Sequence, residues 1–181
     1  MKHQFFVVVM IQIVIDWIHV FFFGQTKTSI KMNEPRDKAA SVLLNETTLW
    51  IMGGLTGSGP LSSTELIKLD EANSVNGPAL PTKLFESCAV KYNDSHIYLT
   101  GGQDAEEAGG YTSRVWIYKP IIDAGNSSWT EGPRMNIHRG DHGCTVLHYG
   151  QTSWIVVAGG IGTAYTSMEI LDPNSNKWVQ G

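Results

Sequence analysis

The chain contains the stretch His96-Ile-Tyr-Leu-Thr-Gly101-Gly102, a short run of strand-forming residues that ends in two glycines. The same pattern occurs twice more, as Thr48-Leu-Trp-Ile-Met-Gly53-Gly54 and as Ser153-Trp-Ile-Val-Val-Ala-Gly159-Gly160. The glycine pairs lie 48 and 58 residues apart, and self-similarity at such a period is typical of repeat proteins. We therefore expect three copies of one structural unit.

Each glycine pair is followed by a polar loop and a second strand-forming stretch, which contains Glu65 in the first copy and Glu169 in the third. The second and third copies then place a tryptophan three residues before a glycine, at Trp129 and Trp178. The first copy has Ser74 at the matching position and lacks the aromatic residue. The added length of the second copy falls in two loops, where repeat architectures tolerate insertions.

This pattern resembles the kelch repeat family, in which a double glycine follows one strand, a glutamate lies on the next and a tryptophan on the last. The third copy resembles it most closely, through His142-Gly-Cys144, Gly159-Gly160, Glu169, Asp172-Pro173 and Trp178. The resemblance implies an all-β fold of four-stranded β-propeller blades, here three blades in an open arc. It divides the chain into residues 1–24, a hydrophobic segment; 25–31, a linker; and 32–81, 82–132 and 133–181, the three repeats.

The repeated positions have structural interpretations. Glycine accepts positive φ and lets a neighbouring backbone approach closely, which suits the paired glycines. Trp129 and Trp178 are expected to anchor the packing between blades, because aromatic burial dominates core energetics. The resemblance implies that Glu65 and Glu169 make polar contacts between blades. No second acidic residue recurs beside either of them for acid–base catalysis.

Three blades are fewer than the four to eight that typically close a propeller. The chain ends at Gly181, where a fourth repeat is expected to begin, so we expect it to be an incomplete propeller. If the chain is instead complete, the open arc exposes apolar blade faces at both ends, which predicts self-association, pairing with another propeller piece or aggregation.

Composition argues against several function classes. The formal net charge is −4 and no long basic run occurs, which argues against nucleic-acid binding. No phosphate-binding glycine loop and no nucleophile elbow is present, so we expect neither an enzyme nor a cofactor. His138 and His142 lie in a glycine-containing link, where a four-residue spacing does not place both rings on one face, and no metal site is expected.

The leading hypothesis is a non-catalytic scaffold that binds an unknown protein partner through inter-strand loops. Those loops are the acidic insertion at residues 103–108 and the link at residues 134–142. Function on loops carried by a rigid framework is the ordinary arrangement. The alternative is a fragment of a secreted propeller enzyme such as a copper oxidase.

Residues 5–23 are almost entirely apolar, interrupted by Gln12, Asp16 and His19. They fit a cleaved signal peptide, with Gly24 the nearby small residue, or a membrane anchor, in which Asp16 is costly. An unrelated segment joined to the repeats is the third possibility. Secretion is slightly favoured over a cytoplasmic location.

Two further residue types bear on the compartment. Cys88 and Cys144 each precede a valine by two residues, which favours small buried core residues over a bridge between them. Glycosylation sequons begin at Asn45, Asn93 and Asn126. All three asparagines are expected in turns, where this residue is common in either compartment.

Overall fold

The computed structural model describes residues 17–20, 28–107, 110–119, 128–161 and 164–181. These residues form antiparallel strands and contain no helix. Three four-stranded sheets, called blades 1, 2 and 3 below, follow one another along the chain. The strands are β1 (Trp17–Val20), β2 (Thr28–Lys31), β3 (Ala40–Asn45), β4 (Thr48–Met52), β5 (Leu55–Thr56), β6 (Gly59–Pro60), β7 (Thr64–Lys68), β8 (Asn73–Asn76), β9 (Leu84–Phe85), β10 (Cys88–Asn93), β11 (His96–Thr100), β12 (Gln103–Asp104), β13 (Val115–Lys119), β14 (Ser128–Glu131), β15 (Gly143–Tyr149), β16 (Thr152–Ala158), β17 (Met168–Asp172) and β18 (Lys177–Gln180).

Each blade is an up-and-down sheet whose strands pair in chain order. Blade 1 consists of β3, β4, β7 and β8, blade 2 of β10, β11, β13 and β14, and blade 3 of β15 to β18. The first strands lie side by side, with β10 between β3 and β15. This is the arrangement of β-propeller blades, in which the first strand of each blade is nearest the axis.

The blades are held together by apolar residues that alternate along the strands. One core lies between blades 1 and 2 and includes Trp50, Met52, Leu84 and Leu99. A second core lies between blades 2 and 3 and includes Val90, Val115, Ile155 and Leu171. Because both faces of blade 2 are covered by its neighbours, its strands carry apolar residues on both sides.

A two-stranded sheet of β1 and β2 precedes blade 1. Strand β2 lies within residues 25–31, the segment expected to precede the first repeat. Ile30 of that strand and Met32 just after it pack against Leu49, Ile51, Ile67 and Leu69 on the outer face of blade 1. Most of the segment at residues 1–24 lies outside the described residues. Within the described part of the chain, no helix is long and apolar enough to cross a membrane.

The two ends of the arc differ. The outer face of blade 1 is buried, with Ile67 at 0% exposure, so the expectation of an exposed apolar face at both ends is wrong for this end. Blade 3 does expose large apolar side chains. On its outer face these include Leu147, Met168 and Val179, the last at 64% exposure.

Candidate partner-binding surface

The strand order gives the arc two distinct rims. At the first, called the turn rim, the first strand of each blade turns into the second and the third into the fourth. At the opposite end, called the loop rim, lie the loops between second and third strands and the linkers between blades. The loop rim therefore collects the acidic insertion and the link at residues 134–142, the two segments that the sequence suggested for partner binding.

The paired glycines shape the loop rim. All six have positive φ, from 57° to 108°, a region that other residues enter at a cost. The amide of Gly54 donates a 2.9 Å hydrogen bond to the carbonyl of Leu84, and Gly102 donates a 2.8 Å bond to Arg139. Each bond joins one blade to the linker that enters the next. The glycine pairs thus fasten successive blades together.

Glu65 and Glu169 each form an ion pair with a buried arginine. The distance from Arg36 Nη2 to Glu65 Oε1 is 2.9 Å, and that from Arg139 Nη2 to Glu169 Oε1 is 2.8 Å. Both carboxylates also accept two backbone amides of the linker that enters their own blade. The resemblance implied contacts between blades, whereas each glutamate binds the linker of its own repeat.

The pKa of Glu65 is lowered despite its burial, which opposes ionisation. The hydroxyl of Ser74 donates to its carboxylate at 2.6 Å, and the linker amides and Arg36 also favour the charged form. Arg36 and Arg139 were not predicted from the sequence. Both end a repeated Met-Asn-x-x-Arg pattern, at residues 32–36 and 135–139, and this pattern could have identified them.

Blade 2 has neither member of this ion pair. By strand register, Trp116 opposite Leu99 takes the place of Glu169 opposite Val157. Leu84 takes the place of the arginine, and both residues join the core between blades 1 and 2.

The two tryptophans of the repeat lie in the cores between blades. Trp129 packs against Trp50 of blade 1, with tilted rings whose centroids are 5.6 Å apart, and against Tyr118. Trp178 packs in the core between blades 2 and 3, and its Nε1 donates a 2.8 Å hydrogen bond to the carbonyl of Pro133. Ser74 fills the same position in blade 1, where its hydroxyl binds Glu65 instead.

Cys88 and Cys144 form a disulfide, with their Cα atoms 5.9 Å apart. The expectation of two separate core residues is therefore wrong. Glu86 and Asp141 mark corresponding positions in their linkers, because both have a left-handed φ. Cys88 follows Glu86 by two residues, whereas Cys144 follows Asp141 by three. A shift of one residue turns a side chain to the opposite face of a strand. The two sulfurs consequently meet between blades 2 and 3.

His142 is buried in the same interface, whereas His138 is exposed. The Oγ1 of Thr100 lies 2.9 Å from His142 Nε2 and donates its own proton to the carbonyl of Cys88. We assign the imidazole proton to Nε2 on this basis, which leaves Nδ1 buried without a hydrogen-bond partner. Burial and the nearby charge of Arg139 lower the pKa of His142 to about 4.

The acidic insertion is anchored at its base. Strand β12 pairs with β9 of the preceding linker. Asp104 is buried and accepts hydrogen bonds from Thr82 Oγ1 at 2.6 Å and from Arg114 Nη1 at 3.0 Å. Asp104 therefore holds the loop in place and is not available to a partner.

The tip of the insertion is tied to the link at residues 134–142. Nη1 of Arg134 lies 3.0 Å from Glu107 Oε1, and its Nε lies 3.0 Å from Glu131 Oε1. The two segments that the sequence suggested are thus neighbours on the loop rim. Glu106 and His138 are exposed there, and Tyr165 in the corresponding loop of blade 3 is 71% exposed.

Among the residues described, no group of three or more His, Cys, Asp or Glu side chains is placed to hold a metal ion. The loop rim does contain a recess of about 540 Å³ beside the β5–β6 hairpin of blade 1. Its lining combines polar and apolar surface and includes Glu34, Thr56, Ser62 and Lys83.

Successive four-stranded antiparallel blades, joined through glycine pairs and buried aromatic residues, define a repeat protein of the β-propeller class. Residues 87–136 match the kelch motif, and the all-strand structure is consistent with a kelch-type repeat domain. The match covers blade 2 and the start of the next linker, whereas the third repeat was expected to resemble the family most closely. No curated protein matches the chain significantly.

Proposed function

We propose that the chain is a non-catalytic scaffold that binds a protein partner through its loop rim. Kelch repeats generally mediate interactions between proteins. The observation that carries the proposal is the anchoring of the acidic insertion by Asp104, Arg114 and Arg134, which connects the insertion to the neighbouring link.

This anchoring matters because binding costs less when a loop is already ordered. Asp104 and Arg114 fix the base of the insertion and Arg134 holds Glu107 at its tip, while Ala105 and Glu106 remain exposed. The insertion therefore presents a carboxylate on a supported backbone. A partner with a basic surface is complementary to Glu106 and to the formal net charge of −4.

Tyr165 adds an apolar anchor to the same rim. Tyrosine is enriched at the energetic centres of protein interfaces, because its ring is large and loses little conformational freedom on binding. The recess beside β5 and β6 provides a concave region that can accommodate a partner side chain. We propose that Tyr165 and Glu106 make the principal contacts.

Affinity purification with quantitative mass spectrometry tests this proposal. Binding of a partner is expected to fall at least tenfold in Glu106→Arg and Tyr165→Ala, and to weaken as salt is raised. Glu71→Arg is the matched control, because Glu71 is exposed on the turn rim. Equal recovery of every bound protein by the two loop-rim variants and the control would contradict the proposal.

We also propose that the outer face of blade 3 binds a second copy of the chain. The corresponding faces of blades 1 and 2 are each buried by the next blade, whereas Leu147 and Val179 are exposed. Within the described residues, no counterpart of the bonds from Gly54 and Gly102 is made by Gly160. The face thus has the apolar character of the faces that are buried between blades.

A further inference from the structure

Two glycosylation sequons occupy equivalent positions on the turn rim. Asn45-Glu-Thr47 lies at the hairpin between β3 and β4, and Asn93-Asp-Ser95 lies at the hairpin between β10 and β11. Both asparagines are exposed. The sequence alone explains them equally well as turn residues, so a glycan needs further support. The third sequon, at Asn126, lies outside the described residues.

The hairpin geometry leaves the reactive atom of each asparagine free. Oδ1 of Asn45 accepts the backbone amide of Thr47 at 2.9 Å, and Oδ1 of Asn93 accepts that of Ser95 at 2.9 Å. Among the described residues, Nδ2 of neither side chain makes a hydrogen bond. A sugar is attached to Nδ2, so both turns can keep their hydrogen bonds after modification.

The disulfide between Cys88 and Cys144 supplies an independent observation about the compartment. Disulfides form and persist in oxidising compartments such as the endoplasmic reticulum and are rare in the cytosol. Its formation transfers two electrons and two protons from the thiols to an oxidant, which a thiol–disulfide oxidoreductase supplies. The same compartment modifies sequons with oligosaccharides. The bridge therefore favours glycosylation over the simple turn explanation.

We propose that the chain matures in the secretory pathway and carries N-linked glycans on Asn45 and Asn93. In this reaction Nδ2 attacks the anomeric carbon of an oligosaccharide carried on a lipid diphosphate. A C–N bond forms, the bond from the anomeric carbon to the diphosphate oxygen breaks, and Nδ2 loses a proton. The lipid diphosphate is the leaving group.

The placement of these glycans has a consequence for recognition. Both lie on the turn rim, opposite the acidic insertion and Tyr165. Glycans at this rim exclude large partners from it and leave the loop rim accessible. The proposal about the glycans does not depend on partner binding at the loop rim.

Expression of the full chain in insect cells, with Asn126→Gln as the background, tests the proposal. Treatment with peptide N-glycosidase is expected to increase gel mobility and to convert Asn45 and Asn93 to aspartate, which peptide mass spectrometry detects. Thr47→Ala and Ser95→Ala are each expected to remove one glycan. Both variants keep the backbone amide that binds the asparagine.

Thr47→Ser and Ser95→Thr are the matched controls, because each preserves its sequon and is expected to retain the glycan. Unmodified Asn45 and Asn93 in the full chain would overturn the proposal. Recovery of Cys88 and Cys144 as free thiols after alkylation of intact cells would also overturn it. Glycans that form only when an unrelated signal peptide replaces residues 1–24 would overturn the proposal as well.

Discussion

Blades 2 and 3 fix the linkers that enter them in different ways. In blade 3, Glu169 neutralises Arg139 and accepts the amides of Asn136 and Ile137. In blade 2, the position that corresponds to Asn136 is Pro81, which has no amide hydrogen to satisfy.

Two further substitutions accompany this proline. Leu84 and Trp116 replace the charged pair with apolar side chains that join the core. The three replacements are compatible with one another. Blade 2 lacks the carboxylate acceptor, and it also lacks one of the amide donors and the buried cation that this carboxylate binds in blade 3. A linker can therefore be fixed either by a buried ion pair or by apolar packing.

The largest expected effect comes from breaking the pair in blade 3. Glu169→Gln leaves the fully buried Arg139 without a counter-charge, and we expect a loss of about 3–5 kcal/mol in the free energy of unfolding. Urea denaturation measures this change. Glu71→Gln, at an exposed site, serves as the control and should lose about 0.5 kcal/mol or less.

A graft of the blade 2 residues sharpens the comparison. The triple variant Asn136→Pro, Arg139→Leu and Glu169→Trp removes the donor, the cation and the acceptor together. We expect it to be more stable than Glu169→Gln alone, since replacing a whole buried pair costs less than removing one partner. A triple variant less stable than the single one would show that the blade 2 set depends on its own surroundings.

The next largest effect on stability is expected from the disulfide. It distinguishes the two interfaces of blade 2, because it connects blade 2 to blade 3 and not to blade 1. Replacing Cys88 and Cys144 with serine is expected to lower the free energy of unfolding by about 2–4 kcal/mol. Thermal unfolding with and without reductant checks this value. If reductant lowers the midpoint of the double-serine variant as much as that of the natural chain, the assignment to the disulfide is wrong.

The interface of blades 2 and 3 is also expected to weaken in acid. The pKa of His142 is about 4 in the folded protein and about 6.5 when unfolded, so the folded state binds fewer protons between these values. Stability is then lost as the pH falls from about 6.5 towards 4, by up to about 3 kcal/mol.

His142→Gln should reduce this pH dependence, since glutamine can donate to Thr100 and does not titrate. Denaturation curves between pH 4.5 and 7 provide the measurement. Glu65, whose pKa is lowered, contributes mainly below this range. Equal slopes for the variant and the natural chain in this range would contradict the assignment to His142.

The smallest effect on stability is expected on the outer face of blade 3. Val179→Lys changes an exposed residue, so the free energy of unfolding should shift by about 0.5 kcal/mol or less. Self-association, measured by sedimentation velocity, should nevertheless decrease. Val75→Lys, at the corresponding strand of blade 1, is the control, and an equal effect of both substitutions would argue against an interface on blade 3.

The sequence predicted the fold because its signals are local. A glycine pair, a strand and a tryptophan each mark one element, and three copies reinforce one another. The disulfide was not predicted because Cys88 and Cys144 were aligned on the following valines. The linker that contains Gly140 has one more residue before its valine than the others, and only the strand register shows this shift.

The candidate surface was predicted in part. The sequence indicated the acidic insertion and the link at residues 134–142, and both lie on the loop rim. It did not separate the residues that support the surface from those that form it. Asp104 and Arg139 are buried, and their burial depends on Thr82 and Glu169, which are distant in the chain.

The disulfide lies beside the axis, on the first strands of blades 2 and 3, while the linker between these blades runs through the loop rim. Arg134 and His138 are exposed in that linker, whereas Met135 is buried and its amide donates to the carbonyl of Ser113, so trypsin cuts after Arg134 only when the linker opens locally. A cut there leaves the two pieces covalently joined through Cys88 and Cys144. The nicked protein would run as one band on a non-reducing gel and as two bands after reduction. Blade 3 would thus stay attached to the molecule after its own linker had been severed.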